Sequence, residues 1–175
     1  MRALHDHIWR GLLLLVALWL GAAEQADEWV SGRVVAVTDG DTAVVETARR
    51  EALRVRFYGI DAPESANADW PAQAYAAEST RFMRELIDGK QVRVRLTGER
   101  TYKREVGEIF LREQSASAAS VAAGMAWWNK KFARKDRRLE QLQIDARAAR
   151  RGLWRERNPV PPWEHRARYR SRHRH

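Results

Sequence analysis

The chain has 175 residues, enough for one domain with a segment at each end, and 45% of them are hydrophobic. It contains no cysteine, which excludes disulfides, thiolate metal sites and cysteine nucleophiles. The formal net charge of +9 indicates a polyanionic partner, with nucleic acid the first candidate and an anionic membrane surface the second.

Residues 1–23 have the pattern of a signal peptide. Arg2 and Arg10 precede an apolar run at 11–23, which is well short of the roughly 20 residues needed to span a bilayer. The run ends in small residues, so we predict cleavage after Ala23 and a secreted or periplasmic protein. An uncleaved membrane anchor is the alternative, and membrane contact is expected only in that case.

Three β-type segments follow the apolar run. The first two are rich in valine and flank Asp39-Gly40, and an Asp-Gly pair between such runs predicts a hairpin. The third segment, 53–60, alternates between apolar and polar residues, with Leu53, Val55 and Phe57 on its inner face.

The remaining elements complete a small barrel. They are a helix from near Pro71 to Asp88, strands at 91–96 and 106–111, an alanine-rich helix capped by Ser115 or Ser117, and a last helix at about 136–151. This order predicts an α+β, mainly β fold: a five-stranded OB-fold Greek-key barrel with three α-helices.

The predicted domain covers 24–158, and the Pro-rich, then Arg-rich residues 159–175 are predicted to form a disordered tail. The tail either binds polyanions without specificity, attracts an anionic envelope surface or is a solvated appendage.

Five side chains are candidates for chemistry. Asp41 at the hairpin turn and Asp61 after the third strand offer the hard oxygen ligands that calcium prefers. Glu64 lies in a loop stiffened by proline and could act as a general base. Arg56 and Arg104 could bind phosphate through two nitrogens at once. Taken singly, each of these residues has an ordinary structural explanation.

The combination of motifs strongly resembles the staphylococcal nuclease (thermonuclease) family over about Trp29 to Arg166. The matching strings are GRVVAVTDGDT at 32–42, RFYGIDAPE at 56–64, YKR at 102–104, AGMAWW at 123–128, AARRGLW at 148–154 and PWEHR at 162–166. The first two strings carry the more specific motifs, Asp-Gly-Asp-Thr and Gly-Ile-Asp-Ala-Pro-Glu.

The resemblance implies a role for each candidate. Asp41 and Asp61 match the family's calcium carboxylates, and the Ala62 carbonyl matches a third ligand. Glu64 matches the general base, and Arg56 and Arg104 match the pair that holds the phosphate. The implied reaction is Ca²⁺-dependent hydrolysis of the 5′ P–O bond of single-stranded DNA or RNA, leaving 3′-phosphate products. A monomer without a protein partner is expected.

Two departures from the family pattern leave an alternative open. The residues before Arg104 are Arg100-Thr101-Tyr102-Lys103 instead of a sequence close to Asp-x-Tyr-Gly. If Lys103 takes the left-handed conformation of a glycine, the conformational cost is on the order of 1 kcal/mol. Otherwise the loop changes shape and Arg104 points in a different direction. In that case Lys103 or Arg100 shares the task of binding phosphate. 

The second departure is that tyrosines expected after Trp127-Trp128 are absent. Phe132 remains able to stack on a base, and Lys130 and Lys131 add positive charge. The alternative function is therefore a catalytically impaired OB-fold module that binds single-stranded nucleic acid.

Overall fold

The computed structural model describes residues 28–172, so the predicted signal peptide lies outside the described residues. The strands are β1 Glu28–Asp39, β2 Thr42–Thr47, β3 Ala52–Phe57, β4 Ile60–Asp61, β5 Gln91–Thr101, β6 Arg104–Leu111, β7 Gln114–Ser115 and β8 Trp127–Trp128. The helices are α1 Ala76–Ile87, α2 Ala116–Ala122, α3 Arg137–Ala148 and α4 Pro162–Arg172, with a 3₁₀ turn at Gly152–Arg155. Over this part of the chain, every helix is too short or too polar to cross a bilayer.

Five strands form a closed barrel in the order β3-β2-β1-β5-β6. The long strand β1 pairs with β5 through its first half and with β2 through its second half, with a register shift between Val34 and Ala36. Parallel pairing of β3 with β6 closes the barrel, and Arg56 lies opposite Val106. The predicted OB-fold barrel is therefore confirmed.

The barrel interior is filled by the inward residues of the alternating strands. Val55 and Phe57 of β3 are buried as predicted and Leu53 is partly buried, while Arg54 between Leu53 and Val55 is exposed. Helix α1 packs against β1, and its Met83 and Ile87 are fully buried in the core. Burial of these inward-facing apolar side chains of the strands and of α1 is the main stabilising contribution to the fold.

The helices differ from the predicted bounds in ways that have local causes. Helix α1 begins at Ala76 instead of near Pro71, because Tyr75 takes a left-handed conformation with φ of 67° and ends the preceding turn. The α2 cap is Ser115, whose Oγ accepts a hydrogen bond from the Ala118 amide at 3.2 Å. Helix α3 is capped in the same way by Asp136.

Helix α4 lies where the composition predicted a disordered tail, so residues 28–172 contain four helices instead of three. Trp163 packs edge-on against Trp127, with ring centroids 5.7 Å apart. His165 Nε2 donates to the Pro71 carbonyl at 3.1 Å. A short polar helix is marginal alone, and these contacts with the domain stabilise it. The prediction of disorder was wrong here because composition does not record such contacts.

Candidate active site

The hairpin tip and the loop after β4 meet at one end of the barrel. The β1–β2 turn consists of Gly40 and Asp41. Gly40 approaches so closely that a Cβ there would lie 2.7 Å from the Ala62 Cβ. Beside this contact, the Ala62 amide donates to Asp41 Oδ2 at 2.7 Å. Glycine at position 40 thus lets the turn bring Asp41 against the segment that carries Asp61 and Ala62.

One guanidinium joins the two aspartates. Arg56 lies on β3 opposite Thr42, the residue after Asp41. Its Nη1 is 2.5 Å from Asp41 Oδ1, and its Nη2 is 2.7 Å from Asp61 Oδ1. Both aspartates are buried, with 7% and 1% of their surface exposed. The structure therefore brings together three of the predicted residues in a largely buried cluster.

The charges in this cluster perturb each other strongly. Burial raises the pKa of Asp41 to about 8; Arg56 opposes the rise, and Asp39 and Asp61 add to it. Burial also favours a lower pKa for Arg56, but the neighbouring carboxylates outweigh it and the pKa is raised. Arg56 therefore stays charged, while burial opposes ionisation of the Asp41 carboxyl.

Arg104 reaches the same cluster. It begins β6, and its Nη1 donates to Thr42 Oγ1 at 3.2 Å. The Thr42 hydroxyl in turn donates to Asp41 Oδ1 at 3.3 Å. The left-handed residue of the β5–β6 turn is Tyr102, with φ of 57°, so the strain considered for Lys103 falls on its neighbour. This turn directs Arg104 toward the aspartates.

Arg100 is engaged elsewhere. Its Nε is 2.8 Å from Glu105 Oε1, on the neighbouring strand of the same hairpin. It therefore does not replace Arg104 in this arrangement.

Glu64 lies on the loop after β4 at the edge of the cluster. Its amide donates to Gln73 Oε1 at 3.1 Å, which fixes the loop locally. Its Oε1 accepts a hydrogen bond from Arg166 Nη1. All six predicted site residues therefore lie at one end of the barrel, while their chemical roles stay predictions.

Arg166 also contacts the predicted site residues, and it is not among the candidates identified from the sequence. It belongs to α4, and its Nη2 donates to Asp61 Oδ2 at 2.8 Å. The assignment of 159–175 to a disordered tail hid this contact. The signal that could have found it is the PWEHR string at 162–166, which places this arginine within a motif instead of in a run of arginines.

The donor set fits calcium. Asp41 Oδ2 accepts one hydrogen bond, and so does Asp61 Oδ2, so each keeps a lone pair for a cation. Carboxylate and carbonyl oxygens are the ligands that calcium prefers. Within residues 28–172, no three acidic or imidazole side chains are close enough together to hold an ion. Main-chain oxygens, including that of Ala62, and water would therefore complete the shell.

The predicted base-stacking residue is accessible. Phe132 is 63% exposed, and Lys131 Nζ lies 5.2 Å from the centroid of its ring. An exposed aromatic ring beside a lysine can accept a nucleobase on its free face, which leaves the stacking role of Phe132 as a prediction.

Comparison with known proteins identifies a shared family. The family model described as staphylococcal nuclease homologue matches residues 54–156. An uncharacterized endonuclease of Escherichia coli O157:H7 is 39% identical over 135 residues, which are 77% of this chain and 83% of that protein. An uncharacterized endonuclease of Haemophilus influenzae is 33% identical over 86% of this chain and 79% of its own length. A micrococcal nuclease of Shigella flexneri is 30% identical over 76% of this chain and 78% of its own length.

Proposed function

The chain belongs to the staphylococcal nuclease family, and we propose that it is a calcium-dependent phosphodiesterase that hydrolyses single-stranded DNA and RNA. The observation that carries this proposal is the convergence of Asp41, Asp61, Glu64, Arg56 and Arg104 at one end of the barrel. The names of the relatives, which include endonucleases and a micrococcal nuclease, support the same reaction class. The net charge of +9 favours a polyanionic substrate.

The metal would be held by the Asp41 and Asp61 carboxylates and the Ala62 carbonyl. Bound there, calcium supplies a Lewis acid that polarises the phosphate and a template that orients it. The burial of both aspartates keeps their oxygens in fixed positions at the barrel end. Arg56, which contacts both carboxylates, sets the distance between them.

The other side chains of the site activate the water and bind the phosphate. Glu64 accepts the proton of the attacking water through a carboxylate oxygen, as a general base. Arg56 and Arg104 donate hydrogen bonds to the non-bridging phosphate oxygens, where negative charge gathers in the transition state. Attack on phosphorus breaks the 5′ P–O bond, so the phosphate stays on the 3′ end of the upstream product.

The position of Arg104 supports an enzyme over a binding module. The alternative function rested on a changed loop that would turn this arginine away. In the structure its guanidinium reaches Thr42, one residue from Asp41. A module that only binds single strands has no need for an arginine aimed at the buried aspartates.

Product analysis tests the proposed reaction. We expect the protein to cut single-stranded DNA and RNA that carry a fluorophore at the 5′ end in calcium, and to leave both intact with a chelator. Phosphatase treatment should shift the labelled products, because they carry a 3′-phosphate. Products with a 3′-hydroxyl would contradict cleavage of the 5′ P–O bond. Cleavage that continues in the presence of chelator would contradict the metal requirement.

We also propose that the protein is exported and acts as a monomer. The export proposal rests on the apolar run at 11–23 and the small residues at its end. Amino-terminal sequencing of the protein recovered outside the cytoplasm should begin at Glu24, whereas a start at Met1 would indicate an uncleaved anchor. Light scattering of the purified protein should give the molar mass of a single chain, and twice that mass would contradict the monomer.

A further inference from the structure

Helix α4 places an arginine between two of the proposed active-site carboxylates. Arg166 Nη2 lies 2.8 Å from Asp61 Oδ2, and Nη1 lies 3.3 Å from Asp61 Oδ1. The same Nη1 donates to Glu64 Oε1. The Arg166 side chain is 25% exposed, which indicates that it is held in the cluster instead of extending into solvent. One planar guanidinium thus fixes the proposed metal ligand and the proposed base relative to each other.

The helix that carries Arg166 is attached to the strands that carry Asp61. In the small sheet, Asp61 of β4 lies opposite Trp127 of β8. Trp127 packs edge-on against Trp163 of α4, at 5.7 Å between ring centroids. Trp163 is three residues before Arg166, so the two side chains lie on neighbouring positions of one helical face. The aromatic contact therefore sets the position of Arg166 against Asp61.

A second connection joins the Glu64 loop to the segment before α4. The Gln73 side-chain oxygen accepts a hydrogen bond from the Glu64 main-chain amide at 3.1 Å. The Gln73 main-chain amide donates to the Glu64 carbonyl at 2.8 Å. The Gln73 side-chain nitrogen donates to the Val160 carbonyl. Gln73 thus links the loop that presents Glu64 to Val160, which lies just before α4.

From these contacts we infer that Arg166 is a positioning residue of the site, an inference that rests on the proposed nuclease function. It holds the Glu64 carboxylate through Oε1, so that the second oxygen can face the attacking water. It also holds Asp61 in the orientation that directs a lone pair toward the cation. A loop glutamate without this contact samples several rotamers, and few of them are productive.

The geometry favours positioning over blockage of the site. Arg166 takes one lone pair of Asp61 Oδ2 and leaves one for a cation. Asp41 Oδ2 is bonded to the Ala62 amide and is not contacted by Arg166. Each aspartate therefore keeps a lone pair on Oδ2 that Arg166 does not occupy.

Steady-state kinetics with Arg166→Gln and Arg166→Lys test the inference, with Arg137→Gln as the matched control. Arg137 is an exposed arginine that pairs with Glu140 on α3, so its replacement removes the same charge away from the site. With single-stranded DNA and saturating calcium, we expect kcat of Arg166→Gln to fall by about 10²-fold, because small misplacements of reacting groups have effects of that order. KM should change by less than about threefold, since binding of substrate is not the step affected.

Arg166→Lys should show a smaller loss of kcat, because lysine keeps the charge but not the paired donors. Arg137→Gln should match the wild type in both constants. Melting curves accompany all variants, and if Arg166→Gln is unfolded, the lysine variant decides. A raised KM with unchanged kcat would overturn the inference and make Arg166 a substrate-binding residue.

Faster cleavage by Arg166→Gln, or half-maximal activity at lower calcium, would also overturn it and would make the arginine a competitor of the metal. Failure of the wild type itself to cut DNA would refute the proposed function, and the inference with it. The wild-type measurement thus distinguishes failure of the inference about Arg166 from failure of the proposed nuclease function.

Discussion

Replacement of Gly40 by alanine tests whether the close approach of the hairpin tip builds the site. A Cβ at this position would lie 2.7 Å from the Ala62 Cβ, 2.0 Å from Ser79 Oγ and 3.0 Å from Ser79 Cβ. Ser79 Oγ can rotate away, but the Ala62 contact remains 0.7 Å short of the 3.4 Å at which ordinary contact begins (3.4 − 2.7). The hairpin tip must therefore retreat by roughly that distance, which stretches the bond between Asp41 and the Ala62 amide.

The expected cost of Gly40→Ala has two parts. Overpacking of this kind lowers the free energy of unfolding by about 1–3 kcal/mol. Displacement of Asp41 from the cluster should lower kcat by up to about 10²-fold. Urea denaturation gives the first quantity, and cleavage of a fluorescent single-stranded DNA in calcium gives the second.

A double variant sharpens the test. Ser79→Gly removes two of the three close contacts, so it should recover part of the unfolding free energy lost in Gly40→Ala after its own effect is subtracted. Activity should recover less, because the Ala62 contact persists. Wild-type stability and wild-type kcat in Gly40→Ala would refute the claim that the absence of a side chain at position 40 positions Asp41.

Three further predictions concern other parts of the structure. Glu108→Gln should lower the free energy of unfolding by about 1.5–3 kcal/mol, because the buried carboxylate is bonded to Arg95, Arg138 and Ser115. Hydrogen bonds from these groups outweigh burial and lower the pKa of Glu108, so this difference in unfolding free energy should be full above the unfolded pKa near 4.3 and vanish as pH falls through the folded pKa. Arg104→Gln should lower kcat by about 10²–10³-fold, as expected for loss of a transition-state donor, and equal rates in that variant and the wild type would remove Arg104 from the site. Trp163→Ala should expose α4 to trypsin and lower kcat, and an unchanged digestion pattern would show that the tryptophan does not anchor the helix.

The barrel could be predicted from the sequence because its signals are local. Alternation along 53–57 and an Asp-Gly turn are properties of neighbouring residues, and the structure confirms both the strands and the hairpin. The start of α1 could not be predicted, because Pro71 favours a helix start and nothing in the sequence signals that Tyr75 takes the left-handed conformation that delays the helix to Ala76.

The candidate site was partly predictable for the same reason. The motifs around Asp41 and Asp61 are compact, so the sequence alone places the proposed ligands and base on two loops at one barrel end. Arg166 lies about a hundred residues from Asp61, in a segment whose composition is typical of disorder. Its position depends on Trp163 and the β4–β8 pair, so the PWEHR string marks the residue but does not encode its contact with Asp61.

Cleavage by the purified wild type and by Glu64→Gln, followed on a fluorescent single-stranded DNA with calcium or chelator, tests the proposed function most directly. Glu113→Gln serves as the control, because Glu113 is an exposed glutamate that pairs with Arg93 away from the site. We predict calcium-dependent cutting by the wild type and the control, and a loss of about 10²-fold or more in Glu64→Gln, as expected when a general base is removed. Binding of the strand without cutting by the wild type would contradict the proposal and identify the barrel as a binding module.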